Sequence, residues 1–176
     1  MGRLPIVAVI GSGVDEHDDL AQPLGQWLAG QDVHLLTGGG SGVMEAVSRS
    51  FHSVPDRRGL VIGVLPGEAG RSPEGYPNPW VEIPIATHLP FSGEQGTEVR
   101  SRNHINVLSA DAIIVLPGGA GTASEVDLAI KYRKPLAAFA IEPGDLSKLP
   151  PDVSVYQTID EIKAFVTASL KTRAKL

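Results

Sequence analysis

The chain has 176 residues with 42% hydrophobic and 20% charged side chains, which is ordinary for one soluble globular domain with a full-sized core. Its net charge of −5 argues against nucleic acid as a partner, and the absence of cysteine excludes disulfides, thiolate chemistry and cysteine-ligated metal. No apolar run approaches the roughly 20 residues of a membrane span, and no signal-peptide pattern opens the chain. We therefore expect a cytoplasmic protein with no membrane partner.

Six short apolar runs predict the strands of a single sheet. In chain order they cover residues 6–10, 33–37, 60–65, 81–85, 112–116 and 136–139. Most are continuous rather than alternating in polarity, as expected for strands that are covered on both faces. Apolar stripes with helical spacing lie between or after them and begin at Leu20, Val43, Ile105 and Ile159. This order predicts an α/β fold of three layers, a Rossmann-like architecture with a doubly wound, mainly parallel sheet.

We expect residues 1–170 to form a single nucleotide-binding domain, because no repeat or linker divides them. The basic tail at 171–176 is expected to fray. Two long segments, at residues 66–79 and 89–99, are rich in loop-forming residues. Long loops in compact domains are usually either functional or mobile, so both segments are of interest.

Three glycine-rich segments follow three of the predicted strands, at residues 11–13, 38–42 and 117–122. Because the carboxyl ends of parallel strands meet at one edge of a sheet, these segments share the edge where such folds bind ligands. Unhindered backbone N–H groups and a helix N-terminus favour phosphate there. We therefore predict a small phosphorylated ligand, an AMP-like nucleotide or a pterin phosphate, bound by Gly11, Ser12, Gly13, Gly38, Gly39, Gly40, Ser41, Gly42, Asn103, Pro117, Gly118, Gly119, Gly121 and Thr122.

None of these segments matches a standard nucleotide motif. The first lacks the third glycine of the dinucleotide fingerprint, and the second lacks the Gly-Lys-Ser/Thr end of a triphosphate-binding loop. Hydride transfer and ATP hydrolysis are therefore disfavoured. The histidines and carboxylates also show no spacing typical of a metal site, so no metal is expected.

Glu125 has two interpretations that the sequence leaves open. In the first, Thr122 and Glu125 form a capping box, in which the carboxylate only completes the start of a helix. That role contributes on the order of 1 kcal/mol. In the second, Glu125 is a catalytic carboxylate beside the phosphate site, and Arg102 is its charge partner or an anion clamp. The alternative for Arg102 is a solvated helix start.

Residues 117–125, P-G-G-A-G-T-A-S-E, resemble the P-G-G-x-G-T-x-x-E signature of the LONELY GUY proteins, a superfamily also described as lysine decarboxylase-like. Residues 38–44 resemble that family's other glycine loop, and the spacing from Arg102 to Pro117 is similar too. The resemblance covers about residues 6–135. It implies a Rossmann-like homodimer that hydrolyses the N-glycosidic bond of a nucleoside 5′-monophosphate and does not decarboxylate lysine.

The same resemblance implies a role for each matching residue. Departure of the base creates an oxocarbenium-like ribosyl centre, which Glu125 would stabilise while it activates water. Arg102 would keep Glu125 ionised by lowering the pKa of its carboxyl. The phosphate would be held by Gly118, Gly119, Gly121 and Thr122. No cofactor is required for this reaction, although a nucleotide or molybdenum cofactor can be the bound ligand.

The sequence departs from the family's M-x-x-R-K pattern, since Val99 stands in place of the methionine and Asn103 in place of the lysine. Residues 102–106, R-N-H-I-N, resemble instead a sister branch that includes the molybdenum cofactor carrier proteins. Those proteins hold a pterin phosphate on the same fold without known turnover. The second function implied is therefore a carrier that binds molybdenum cofactor or a nucleotide and releases it unchanged.

Overall fold

The computed structural model describes residues 3–68, 71–142, 146 and 149–173. The strands of these ranges are β1 (Ile6–Ile10), β2 (His34–Thr37), β3 (Val61–Leu65), β4 (Ile83–Ala86), β5 (Ala112–Val115), β6 (Leu136–Phe139) and β7 (Val155–Tyr156). The α-helices are α1 (Asp18–Ala29), α2 (Val43–His52), α3 (Asn103–Ser109), α4 (Ala120–Lys131) and α5 (Ile159–Arg173). The strands form one 7-stranded sheet in the order β4-β3-β2-β1-β5-β6-β7, and each neighbouring pair is parallel.

The sheet carries a hydrophobic core on each face, because successive residues of a strand point to opposite sides. Val7 and Val9 of β1 are buried in the core formed with α1, α2 and α5. Ala8 and Ile10 of the same strand are buried on the other face, in the core formed with α3 and α4. The predicted α/β fold, Rossmann-like with three layers and a doubly wound sheet, is confirmed.

The structure differs from the prediction at both edges of the sheet. β4 covers Ile83–Ala86 rather than 81–85, and its residues are exposed because it is an edge strand paired only with β3. β7, at the opposite edge, has no predicted counterpart, since two residues are too few to show periodicity. α5 continues to Arg173, so residues 174–176 of the expected tail lie outside the described residues. No helix in the described ranges is long and apolar enough to cross a membrane.

The strand order reverses at the centre of the sheet. From β1 the chain proceeds outward through β2 and β3 to β4, whereas β5, β6 and β7 extend from the other side of β1. A crevice forms at the carboxyl ends of the strands where such a reversal occurs, and ligands of open α/β sheets bind in it. The three glycine-rich loops follow β1, β2 and β5, which are the strands that surround this point.

Candidate ligand-binding site

The first glycine loop, which follows β1, is hydrogen-bonded to both of the other glycine loops. The backbone N–H of Ser12 donates to the carbonyl of Pro117 over 2.9 Å, and the carbonyl of Ser12 accepts from the N–H of Val43, also over 2.9 Å. The hydroxyl of Ser41 donates to the carbonyl of Gly13 over 2.6 Å. The three loops therefore form one continuous surface at the carboxyl edge of the sheet.

A pocket of about 330 Å³ opens over this surface. Ligand sites typically enclose roughly 300–1,000 Å³, so the pocket suits a small ligand. The predicted site residues that line it are Gly11, Ser12, Gly13, Arg102, Asn103, Gly119, Gly121, Thr122 and Glu125. The lining residues that were not predicted are Val14, Met44, Tyr76, Ser92 and Gly93.

The second glycine loop lies beneath the residues that line the pocket and does not line it. The predicted site residues that lie outside the pocket wall are Gly38, Gly39, Gly40, Ser41 and Gly42. A Cβ on Gly38 would lie 2.6 Å from Nη1 of Arg102, so the missing side chain makes room for the guanidinium. Gly39 and Gly42 have φ values of 76° and 63°, a left-handed conformation that favours glycine. The loop thus shapes the space around Arg102 rather than contributing side chains to it.

Pro117 and Gly118 also lie behind the lining. The carbonyl of Pro117 is occupied by the N–H of Ser12. A Cβ on Gly118 would lie 2.7 Å from the nitrogen of Ser12 and 2.9 Å from the carbonyl carbon of Gly11. Gly118 is therefore required for the close approach of the first and third loops, and it does not line the pocket.

The start of α4 contradicts the capping-box interpretation of Glu125. The helix begins at Ala120, with Gly119 as its N-cap and with no side-chain cap. Thr122 and Glu125 both lie inside the helix, so neither can cap it. The physical reason is that the chain enters the helix at the glycines, before it reaches the threonine. The first N–H groups of α4 have no partner within the helix, and Gly119, Gly121 and Thr122 line the pocket beside them.

Glu125 points instead toward α3. Nδ2 of Asn106 donates a hydrogen bond to Oε1 of Glu125 over 3.1 Å. Nη1 of Arg102 lies 3.7 Å from the same oxygen, which is an ion pair beyond hydrogen-bonding range. Arg102 is 4% exposed and Glu125 9%, so the alternative of a solvated helix start for Arg102 is also wrong.

The carboxyl of Glu125 is held in a weakly hydrated environment. Burial raises the pKa of Glu125, and the opposing effects of the Arg102 charge and the Asn106 hydrogen bond do not overcome it. The Arg102 charge acts to lower the pKa of Glu125, as expected, but the net shift is upward. Desolvation is the larger effect because the carboxyl lies deep between α3 and α4.

Arg102 and Asn106 each carry buried polar atoms without a hydrogen-bond partner among the described residues. These atoms are Nε and Nη1 of Arg102 and Oδ1 of Asn106. A buried donor without a partner costs about 1–3 kcal/mol, and more when it is charged. Arg102 also lines the pocket, so its positive charge favours an anionic group there.

Several residues of the pocket escaped prediction because distant segments bring them there. Tyr76 comes from the long loop that precedes β4, and Ser92 and Gly93 come from the polar segment before α3. The hydroxyl of Ser124 donates to the carbonyl of Gly93 over 3.0 Å, which holds that segment against α4. Both segments have the length and composition of functional loops, which is the only signal that the sequence carries for them.

The fold and the site together define a Rossmann-like protein with a pocket at the switch point of its sheet. The chain belongs to the SLOG cluster4 family, whose profile matches residues 4–167. The predicted membership of the LONELY GUY-like superfamily, in the branch that resembles molybdenum cofactor carriers, is confirmed.

Two solved structures illustrate this branch. The molybdenum cofactor binding protein from the phototrophic bacterium Rippkaea orientalis is 32% identical, with a TM-score of 0.71 over 94% of this chain and 99% of that one. The molybdenum cofactor carrier protein from Chlamydomonas reinhardtii is 31% identical, with a TM-score of 0.74 over 96% of this chain and 99% of that one. An uncharacterized protein from Archaeoglobus fulgidus is 33% identical over 138 residues, which are 77% of this chain and 80% of that protein.

Proposed function

We propose that this protein binds molybdenum cofactor, or a closely related pterin phosphate, and releases it chemically unchanged. The observation that carries the proposal is the likeness, at 31% and 32% identity over nearly the whole chain, to one protein that carries this cofactor and another that binds it. Asn103 replaces the lysine of the hydrolase pattern, and residues 102–106 resemble the same branch of the superfamily.

The chemistry of the pocket supports a phosphate-bearing ligand. The free N–H groups at the start of α4 and the positive end of the helix dipole favour an anion beside Gly119 and Gly121. Arg102 adds a buried guanidinium whose Nε and Nη1 have no hydrogen-bond partner among the described residues. Its positive charge at the pocket wall favours an anionic ligand.

The surroundings of Glu125 support binding without turnover. Stabilisation of an oxocarbenium-like centre requires an ionised carboxylate. Burial raises the pKa of Glu125, and Asn106 already occupies Oε1, the oxygen nearest Arg102. Burial thus disfavours the ionised form that base departure needs, and the Asn106 hydrogen bond gives Glu125 a packing role.

A second candidate is hydrolysis of the N-glycosidic bond of a nucleoside 5′-monophosphate. It is favoured by one specific observation: Glu125 and Arg102 line the same pocket as Gly119 and Thr122. A phosphate at the start of α4 would therefore hold the attached ribose near a carboxyl, which is catalysis by positioning.

The two candidates give opposite results in one experiment. The protein is mixed under anaerobic conditions with molybdenum cofactor released from a molybdoenzyme, and the pterin that co-elutes on gel filtration is measured by its fluorescence after oxidation. In parallel, AMP and other ribotides are assayed for free base. We expect stoichiometric pterin and no released base. Release of adenine that Glu125→Gln abolishes, with folding intact, would instead establish the hydrolase.

The superfamily resemblance also implies a homodimer, which we propose for this chain. Light scattering coupled to gel filtration should give twice the mass of the 18.5 kDa chain. A mass of one chain at micromolar concentration would contradict it.

A further inference from the structure

Residues 73–80 precede β4 and cross the second glycine loop; we call them the strap. Asn78 fixes the strap and is 4% exposed. Its Nδ2 donates to the carbonyl of Gly40 over 2.8 Å, and its backbone N–H donates to the carbonyl of Gly39 over 2.8 Å. Its Oδ1 accepts from the N–H of Trp80 over 3.1 Å. Two hydrogen bonds from Asn78 therefore anchor the strap to the loop that follows β2, and the third holds the strap's own turn.

This anchoring places Tyr76 in the pocket wall beside Met44. A Cβ on Gly40 would lie 2.8 Å from Oη of Tyr76 and 2.9 Å from Cε of Met44, so both side chains use the space that glycine leaves free. Tyr76 is half-buried, with the pocket on one side. The wall here consists of an aromatic ring and a thioether and carries no charge.

The wall formed by Tyr76 and Met44 and the start of α4 lie on opposite sides of the first glycine loop. Gly40 follows β2, whereas Gly119 and Thr122 follow β5, and β1 lies between those two strands. Neighbouring strands are about 4.8 Å apart, so the strands that lead to these two loops are roughly 10 Å apart. That distance suits a ligand with a phosphate at one end and a ring system at the other.

We infer that Tyr76 and Met44 form the end of the pocket that recognises a planar nitrogen heterocycle, and that Asn78 is the residue that positions Tyr76. The inference rests on the proposed function, because it takes the phosphate to lie at the start of α4. Aromatic rings stack on one another with an offset, and a methionine sulfur makes favourable contacts with ring edges. Pterin and purine rings share this chemistry, so they are compared as separate ligands in the test.

The test measures the affinity of three probes by calorimetry or by equilibrium dialysis. Molybdenum cofactor and AMP both carry a ring, whereas ribose 5-phosphate has none. We expect Tyr76→Ala to weaken binding of the ring-bearing ligands by about 5- to 150-fold, the range typical of a base stacked on an aromatic side chain. Binding of ribose 5-phosphate should change less than about twofold, because its phosphate contacts lie at the other end.

Three further variants make the result specific. Tyr76→Phe keeps the ring and should bind all probes like the native protein. Trp80→Ala removes an aromatic ring of the same strap that packs on His52 outside the pocket, and should leave all affinities unchanged. If Tyr76→Ala does not fold, Tyr76→Leu fills the same space without a ring and takes its place.

The outcomes separate this inference from the function on which it rests. Equal affinity of Tyr76→Ala and native protein for the ring-bearing probe would overturn the ring site and leave the proposed function intact. An equal loss of affinity for all three probes would also overturn the ring site, since Tyr76 would then have only a structural role. If native protein binds ribose 5-phosphate but neither ring-bearing probe, the proposed function fails and the inference fails with it.

Discussion

Asn106 donates a hydrogen bond to Oε1 of Glu125 over 3.1 Å, while Arg102 approaches the same oxygen only to 3.7 Å. The hydrogen-bond partner of the buried carboxyl is thus a neutral amide rather than the neighbouring cation. Nε and Nη1 of Arg102 have no hydrogen-bond partner among the described residues, and Arg102 lines the pocket. This difference in contacts is why we propose that Arg102, rather than Glu125, binds the anionic part of the ligand.

Arg102→Gln should abolish most of the affinity for phosphorylated ligands. Hydrogen bonds to charged groups contribute about 1.5–3 kcal/mol, so the Kd for ribose 5-phosphate should rise about 10- to 150-fold. The measurement is calorimetric titration, with circular dichroism to verify folding.

Arg100→Gln is the matched control for this change. Arg100 is exposed and lies over the ring of Phe91, 5.3 Å from its centroid. The substitution therefore removes the same charge as Arg102→Gln, but outside the pocket. Its effect should be within about twofold, as usual for an exposed surface charge. Comparable losses in both variants would mean that only net charge attracts the ligand.

Glu125→Gln should change how stability depends on pH. Below the ordinary pKa of 4.5, Glu125 is protonated in the folded and the unfolded chain alike. Above it, the unfolded chain loses the proton while the folded protein, whose pKa is raised, keeps it. The free energy of unfolding of the native protein therefore falls by about 1.4 kcal/mol per pH unit until the raised pKa is passed. Glu125→Gln should lack this fall in urea titrations at several pH values.

Glu161→Gln provides a control with the opposite sign. Hydrogen bonds from Thr158 lower the pKa of Glu161, so its contribution to stability is present above 4.5 and is lost as the pH falls. A pH profile in which the two variants deviate from native protein in the same direction would contradict the raised pKa of Glu125.

Gly118→Ala and Gly119→Ala should have different effects although they are adjacent. A Cβ on Gly118 meets backbone atoms of Ser12 and Gly11, so the first and third loops would separate, at a cost of about 1–3 kcal/mol in unfolding free energy. A Cβ on Gly119 has no atom of the described residues within 4 Å, so stability should change by less than about 0.5 kcal/mol. Because Gly119 lines the pocket, its methyl group should weaken ligand binding. Thermal unfolding and calorimetry test both, and equal destabilisation would refute the loop contact.

Asn78→Ala should loosen the strap. The change leaves the carbonyl of Gly40 and the N–H of Trp80 without their partner, at a cost of about 1–3 kcal/mol. Hydrogen exchange at the amide of Trp80 should accelerate accordingly. Glu74→Ala, at an exposed residue of the same strap, should leave this exchange rate unchanged. Unaltered exchange in Asn78→Ala would show that the strap is held by other contacts.

The sequence predicts the central strands and the glycine loops well because their signals are local. Continuous apolar runs such as Ala112–Val115 indicate buried strands, and the glycines that follow indicate close turns. Tyr76 and Asn78 carry no comparable signal. Their place in the site depends on where a long loop crosses the sheet edge, which only the tertiary structure determines.

Two T-x-x-E patterns in this chain show why the role of Glu125 was undecided. Thr158 and Glu161 form a true capping box at the start of α5, since the N–H of Thr158 donates to Oε2 of Glu161 over 3.0 Å. Thr122 and Glu125 have the same spacing, but glycines before them let the helix begin earlier. The two patterns are identical in sequence. Where the helix begins determines whether the glutamate caps the helix or lines the pocket.

Gly38 gives the pocket a further property. Its missing side chain leaves the volume that the guanidinium of Arg102 occupies, with Nη1 2.6 Å from where a Cβ would stand. The electrostatic potential of the pocket is therefore set in part by a residue that has neither charge nor side chain. A methyl group at this position would change the electrostatic potential of the pocket by displacing the guanidinium of Arg102, although the net charge of the protein would stay the same.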